Sequence, residues 1–429
     1  MLYQFIEYQR SLLAPWTSWA EAFTNAWIDP IDPWFRYPPV SCMTAGWEML
    51  SWFGKAYERP AFGIMTVDQE GRTIPVVEHV ALDHPFLRLL RFARDTPHRC
   101  VAAPELQPVV LVCAPLAGHH AVLLRELIET LLPGHIVYVT DWKDARRVPV
   151  AEGPFTLADC VAEVLACIRH IGIEQLHVLA VCQATVPALA AVSLLASAGV
   201  PTPRSLILMG GPIDARRSPT AIGRLAAGRP LAWFQRNLIR LVPPPYAGAG
   251  RKVYPSFLQL AGLVAAHPDR LMRAHFDYCV DLARGDVKHA AAHRRLCDEY
   301  NAVLDLAAEF YLDTIRMVFQ EFRLARGDWQ VQGQPVRPQD IQATALLTIE
   351  GELDDISGRG QTQAAHDLCP GIPDRHRRHI TARQCGHYDL FSGPRWQTEI
   401  FPCIRSLIRQ YTGPARRSHI MRTAPGSPV

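Results

Sequence analysis

The sequence contains few features of membrane or exported proteins. No apolar run approaches the roughly 20 residues that a membrane-spanning helix needs. The longest, from Val186 to Val200, lies where a core helix is predicted. The first residues, MLYQFIEYQR, lack the basic region and the apolar region of a secretion signal. We therefore expect no transmembrane segment and a cytoplasmic protein.

Charge and cysteine content exclude further classes. The formal net charge is +3 over 429 residues, and the basic residues are mostly scattered, so nothing favours nucleic acid as a partner. The 11 cysteines are an odd number with irregular spacing and no CxxC pair. This pattern predicts neither a disulfide framework nor a zinc site, so we expect free thiols and no metal.

Tryptophan and proline are concentrated at the N-terminus. Six of the 10 tryptophans lie in the first sixty residues: Trp16, Trp19, Trp27, Trp34, Trp47 and Trp52. The prolines that break this stretch are Pro30, Pro33, Pro38 and Pro39. We predict a separate N-terminal segment of short helices over residues 1–60.

The next part of the chain reads as alternating strands and helices. Two strand-like runs between Phe62 and His84, split by a turn at 68–71, predict a hairpin. The predicted strands that follow are Val109–Cys113, His135–Thr140, Leu176–Val181 and Ser205–Met209. The predicted helices between them are Ala121–Leu132, Leu157–Ile171 and Thr185–Ala198. Short apolar strands separated by amphipathic helices predict an α/β protein with a mostly parallel sheet covered on both faces.

A long insertion interrupts this alternation. Residues 215–340 are rich in arginine, proline and aromatic residues, with helical periodicity and no clear strand. A strand resumes at Ala343–Ile349, and a helix near Gln361–Leu368, a strand near His379 and a helix over Trp396–Tyr411 follow. We therefore predict a core of residues 61–214 and 341–411, a helical lid over 215–340, and a disordered tail over 412–429.

Cys182 follows the strand Leu176–Val181 and precedes a predicted helix. This is the arrangement of a nucleophile elbow, which needs small residues two positions before and after, and Ala180 and Ala184 meet that need. The field of the helix N-terminus would favour the thiolate. A small, buried core cysteine is the alternative, and the pentapeptide alone leaves both interpretations open.

An acid and a histidine follow in the chain order typical of such hydrolases. Asp354 lies three residues after Gly351 at the end of a predicted strand, with Glu352 and Asp355 as competitors for the same role. His387 lies past the last predicted strand. We predict that His387 deprotonates Cys182 and that Asp354 orients the imidazole.

Backbone N–H groups are the predicted oxyanion donors. Gln183, directly after the nucleophile, supplies one, and Leu116, in the loop after the first central strand, supplies the other. His119 and His120 in the same loop suggest metal ligands. Adjacent residues on one turn rarely share a metal, so we interpret both as ordinary loop residues.

The sequence resembles the intracellular polyhydroxybutyrate depolymerases over nearly its whole length short of the tail. The segments that carry the resemblance are MLYQFIEYQRSLLAPW, APLAGHHAVLLRELI, YVTDWKDARRVPV, LAVCQATVPALAA, TIEGELDDISG and CGHYDLFSG. The resemblance implies an α/β-hydrolase fold and a Cys-Asp-His set that cleaves a storage polyester inside the cell. It also implies the polymer granule as partner and site of action.

Two alternatives remain open. Polyhydroxyalkanoate synthases resemble this chain and also use a Cys-Asp-His set, but their elbow keeps flanking glycines where this chain has Ala180 and Ala184. A non-catalytic granule-coat protein would lack a member of the set, and none is missing. No cofactor is expected; coenzyme A is a candidate acyl acceptor although no motif for it is present. The sequence does not fix the oligomeric state.

Overall fold

The computed structural model describes residues 2–27, 57–95, 107–266, 276–278, 280–281, 284 and 286–413. The first helix, α1, spans Leu2–Trp27 and continues through Pro15 rather than breaking into short pieces. The stretch 28–56, with the prolines expected to break the segment, lies outside the described residues. So do residues 414–429 and the side chains of Trp16, Trp19 and Trp27.

A nine-stranded sheet forms the centre of the protein, in the order β1-β2-β3-β5-β4-β6-β7-β13-β14. Its strands are β1 Thr66–Gln69, β2 Arg72–Asp83, β3 Leu87–Arg94, β4 Val109–Cys113, β5 Ile136–Trp142, β6 Leu176–Val181, β7 Ser205–Met209, β13 Ala345–Gly351 and β14 Arg377–Ala382. All neighbours from β5 to β14 are parallel, and the first four strands in the order meet in antiparallel pairs. This is the α/β-hydrolase arrangement predicted from the sequence, including the opening hairpin.

Strand β3 was not predicted. Its sequence, LRLLRFAR, places an arginine at every third position, a spacing closer to helical than to strand periodicity. In the sheet, Arg88 forms an ion pair with Asp141 at 3.1 Å, and Arg94 donates to the Pro133 carbonyl at 2.7 Å. Tertiary partners for these guanidinium groups therefore allow a strand that the local pattern does not indicate.

Helices cover both faces of the sheet. On one face α3 (Leu157–Ile171) and α4 (Thr185–Ser197) bury their apolar side chains against the strands. On the other face lie α2 (Arg125–Leu131) and the C-terminal helix, α13 (Phe401–Tyr411), which continues a π-helical turn over Trp396–Ile400. The capping box of Thr156 and Asp159 at the start of α3 shows why that helix begins where predicted.

The insertion between β7 and β13 is mostly helical. Its helices are α5 Ala221–Gly228, α6 Leu231–Leu238, α7 Ser256–Ala266, α8 Val287–Asn301, α9 Ala308–Asp313 and α10 Arg323–Arg326, with a π-helix at Thr314–Gln320. The remaining short helices, α11 Ala365–Leu368 and α12 Gly393–Arg395, lie after β13.

The prediction of no strand in the insertion was wrong. Short strands at Arg240–Leu241, Lys252–Tyr254 and Leu306–Ala307 (β8–β10) form a small sheet, and Gln330–Val331 and Gln334–Pro335 (β11 and β12) form a hairpin. Strands of two or three residues are too short to show alternation in a sequence.

Helix α1 is anchored to the insertion through a buried polar cluster. The Tyr3 hydroxyl donates to Asp305 Oδ2 at 2.6 Å, and Asp305 Oδ1 accepts the Ser256 N–H at 2.8 Å. Tyr246 donates to Glu7 Oε2 at 2.7 Å. Burial raises the pKa of Asp305, and its neighbours Tyr3 and Arg146 oppose that rise. These contacts hold the start of the chain against the body of the protein.

No helix among the described residues is long and apolar enough to cross a membrane.

Candidate active site

Cys182 lies at the tight turn between β6 and α4. Its φ of +54° is in the left-handed region, which costs a non-glycine residue about 1–2 kcal/mol. Ala180 and Ala184 on either side are buried, and larger side chains there would collide with the strand and helix that pass so close together. The Cys182 side chain itself remains partly exposed. The turn therefore has the geometry expected of a nucleophile elbow.

Two glycines after β7 make room for this turn. A Cβ atom on Gly211 would overlap the Thr185 hydroxyl and the Cys182 carbonyl. A Cβ atom on Gly210 would lie 3.3 Å from both Asp354 Oδ2 and His387 Cε1, and Gly210 also has a φ of +56°. Neither glycine was singled out in the sequence, although a Gly-Gly pair directly after a strand was a visible signal.

Asp354 is one of the three candidate acids, and backbone donors hold its carboxylate. It is buried, and its Oδ1 accepts the backbone N–H groups of Ile356 at 2.9 Å and Ser357 at 2.8 Å. Glu352 instead accepts the Gln384 N–H at 2.8 Å at an exposed position. Two backbone donors fix the Asp354 carboxylate and leave Oδ2 free to bond elsewhere.

His387 supplies the partner for Oδ2. Its Nδ1 lies 2.7 Å from Asp354 Oδ2, and the side chains are only 4% and 0% exposed. Burial alone lowers the pKa of His387, but Cys182 and Asp354, through charge and hydrogen bonds, raise it to about 10. The imidazole is therefore hydrogen-bonded on both sides, and its charged form is favoured.

Other thiols differ from Cys182 in their surroundings. Burial raises the pKa of Cys113 and of Cys385 to about 12. It also raises the pKa of Cys160 and Cys167 well above the usual range. These thiols are therefore protonated and unreactive at neutral pH.

The predicted oxyanion donors follow neighbouring strands. Cys113 pairs with Ala180 in the register of β4 and β6, so Leu116 and Gln183 each lie three residues beyond this pair at the same edge. In the described part of the chain, neither backbone N–H donates to a turn or loop carbonyl. The loop of Leu116 is linked to the insertion through the Gly118 carbonyl, which accepts the Leu304 N–H at 2.7 Å.

The insertion reaches the elbow. Gln183 Nε2 donates to Thr314 Oγ1 at 3.1 Å, so the residue after Cys182 contacts the π-helix of the insertion. His119 forms an isolated bridge with Val303 from the same insertion. His119 and His120 belong to no metal-binding group among the residues that the structure describes.

A family model described as PHB de-polymerase C-terminus matches residues 210–412. No curated protein sequence gives a significant match. Among solved structures, a hydrolase of 2-hydroxy-6-oxo-6-phenylhexa-2,4-dienoate from Rhodococcus sp. strain RHA1 is 14% identical, with a TM-score of 0.43, over 79% of this chain and 100% of its own. A monoacylglycerol lipase from Paleococcus ferrophilus is 12% identical, with a TM-score of 0.43, over 76% of this chain and 98% of its own.

The matched segment includes β13, β14 and the turns that carry Asp354 and His387. These solved structures are too distantly similar to support an argument. The fold is therefore assigned from the order and directions of the strands in the sheet. This match over the C-terminal part of the chain, residues 210–412, supports an ester hydrolase of a PHB depolymerase-type family.

Proposed function

We propose that the protein hydrolyses the ester bonds of polyhydroxybutyrate through an acyl-cysteine intermediate on Cys182. The observation that carries this proposal is the alignment of Asp354, His387 and Cys182. The buried Asp354 carboxylate lies 2.7 Å from Nδ1 of the buried His387 ring. The other side of that ring is hydrogen-bonded to Cys182, which lies on a strained turn. This arrangement suits nucleophilic attack on a carbonyl.

The proposed reaction has two steps. The Cys182 thiolate attacks the ester carbonyl, the C–O bond breaks, and protonated His387 gives its proton to the leaving alkoxide. Water then attacks the thioester carbonyl and gives a proton to His387, and the C–S bond breaks to release the acid and the thiolate. In both steps the backbone N–H groups of Gln183 and Leu116 stabilise the negative oxygen.

The insertion is the proposed route for the polymer. Its apolar side chains at Ile222, Leu225, Leu241 and Phe276 are exposed. A polyester surface would bury such residues favourably. Of the other insertion aromatics, Phe234, Tyr278 and Phe310 are buried and serve its own core. Exposed apolar residues, rather than the aromatics as a class, are therefore the proposed contacts with a polymer granule inside the cell.

Incubation with amorphous polyhydroxybutyrate tests the activity, with soluble products identified by mass spectrometry. We expect hydroxybutyrate monomer or short oligomers from the wild type, and a loss on the order of 10⁴-fold or greater in Cys182→Ala. Cys385→Ala is the matched control, because Cys385 is a buried thiol close to His387 in the chain. Near-normal activity of folded Cys182→Ala would refute the proposal.

The acceptor and the direction of reaction are tested in the same assay. Water as acceptor predicts free acid, whether or not coenzyme A is added. A hydroxybutyryl thioester formed with coenzyme A would make that thiol the acceptor. Polymer growth from hydroxybutyryl-coenzyme A would support a synthase, and absence of any acyl-cysteine on the intact protein would support a coat protein.

A further inference from the structure

His119 presents a buried nitrogen with no partner beside the candidate active site. Its Nε2 is shielded from solvent and makes no hydrogen bond among the described residues. The ring does form a hydrogen bond with the Tyr300 backbone. Because Nε2 is unpaired, that bond is made by the Nδ1–H, which donates to the Tyr300 carbonyl. The tautomer is therefore fixed with a lone pair on Nε2.

Aromatic contacts connect this ring to His387. His119 lies 4.9 Å from the Tyr300 ring, Tyr300 lies 5.9 Å from Tyr388, and Tyr388 lies 5.6 Å from His387. The loop of His119 follows β4, directly beside the β6 strand that precedes Cys182. The imidazole thus contacts Tyr300 of the insertion, and Tyr300 contacts Tyr388, the residue after His387.

The charge state of His119 suits a hydrogen-bond acceptor. Burial lowers its pKa to about 4, the Tyr300 hydrogen bond opposes this, and the nearby His387 lowers it further. The ring is consequently neutral at neutral pH while His387 carries the charge. A neutral imidazole with a free lone pair accepts a hydrogen bond but does not compete for the proton of His387.

Resting on the function proposed above, we propose that His119 is a catalytic residue whose Nε2 accepts a hydrogen bond from an O–H group reacting at Cys182. That group is the hydrolytic water, which gives one proton to His387 and keeps a second O–H bond. The leaving alkoxide has no hydrogen of its own, because the proton it takes comes from His387. An acceptor at His119 orients the attacking water through its second O–H bond.

His119→Asn is the informative variant. The asparagine amide nitrogen takes the place of Nδ1 and keeps the bond to the Tyr300 carbonyl, whereas the Nε2 acceptor is lost. His119→Gln returns an oxygen near the Nε2 position. His120→Asn is the matched control, because His120 is an adjacent buried histidine with an unpaired nitrogen. Its neighbouring charges are chiefly Arg59 and Arg146 rather than His387.

Two soluble esters separate the attack of water from the departure of the alcohol. A p-nitrophenyl ester gives an acylation burst and then deacylation by water, and its leaving group needs no proton. Because His119 binds the water, His119→Asn should slow deacylation by about tenfold or more and spare the burst. A loss of about tenfold confined to acylation by an alkyl hydroxybutyrate ester, with deacylation unchanged, would overturn the inference.

His119→Gln is expected to recover part of the loss in deacylation, and His120→Asn to stay within about twofold of the wild type. Wild-type rates for both esters in folded His119→Asn would overturn the inference. If His119→Asn does not fold, His119→Gln is the test. Wild-type kinetics in His119→Gln, or an equal loss in every step, would then overturn the inference. A wild type that never acylates Cys182 would refute the proposed function rather than this inference alone.

Discussion

Replacing Asp354 by asparagine should leave the fold in place and convert His387 from the imidazolium to the neutral Nε2–H tautomer. Asp354 Oδ1 accepts two backbone N–H groups, from Ile356 and Ser357, at 2.9 and 2.8 Å. An amide NH₂ cannot accept these bonds, so the asparagine oxygen must occupy that position. Turning the amide over would leave two buried donors unpaired, at about 1–3 kcal/mol each.

The amide nitrogen then faces His387 Nδ1, which lies 2.7 Å from Oδ2 in the native protein. Because NH₂ only donates, Nδ1 must accept, so Nδ1 loses its proton and the neutral ring keeps its one proton on Nε2. That proton points at Cys182, so the imidazole no longer takes the proton of the thiol. For a triad of this type the loss in turnover is about 10⁴-fold, or about 5 kcal/mol of transition-state stabilisation.

Steady-state kinetics with p-nitrophenyl butyrate measures the loss, and thermal unfolding checks that the protein stays folded. Asp355→Asn is the control, because this neighbouring acid is not buried beside His387. It should remain within about twofold of the wild type. A loss below about tenfold in Asp354→Asn, or an equal loss in Asp355→Asn, would refute the reasoning.

Four further outcomes are expected. The pKa of His387 is raised to about 10, so its imidazolium persists below that pH. Activity should therefore fall as pH rises through about 10, and a pH–rate profile that already falls near pH 7 would contradict this. Gly211→Ala should abolish activity or folding, because its Cβ has no space, whereas Gly134→Ala should do neither. Tyr3→Phe should lower the free energy of unfolding in urea by about 1–3 kcal/mol, since Asp305 loses a buried donor, and no change would refute the anchoring role. Phe276→Ser should weaken granule binding and spare p-nitrophenyl butyrate hydrolysis; equal losses in both would make that residue structural.

The sequence was informative where local pattern and tertiary structure agree. The strands that precede Cys182 and Asp354 are short apolar runs, and their bounds were predicted to within two residues. The chain order of nucleophile, acid and histidine narrowed the choice of residues because parallel strands bring their carboxyl ends to one edge. Turn spacing alone favoured Asp354 among the three acids, and only the structure shows its backbone hydrogen bonds and its contact with His387.

Features that depend on distant contacts were not predictable. Strand β3 needs Asp141 and the Pro133 carbonyl to accommodate its arginines, and neither is near in sequence. The role of Gly211 depends on the approach of Thr185, and the unpaired nitrogen of His119 depends on what packs around it. No periodicity or motif in a sequence indicates whether a buried side-chain atom has a hydrogen-bond partner.

The edges of the described sheet have a consequence for behaviour at high protein concentration. One edge strand, β1, has only four residues, and the other, β14, places Arg377 and the exposed Arg378 along its length. Short strands and charged side chains both discourage pairing with a strand from another molecule. Copies crowded together at high concentration would therefore remain separate folded molecules, instead of joining their sheets into aggregates.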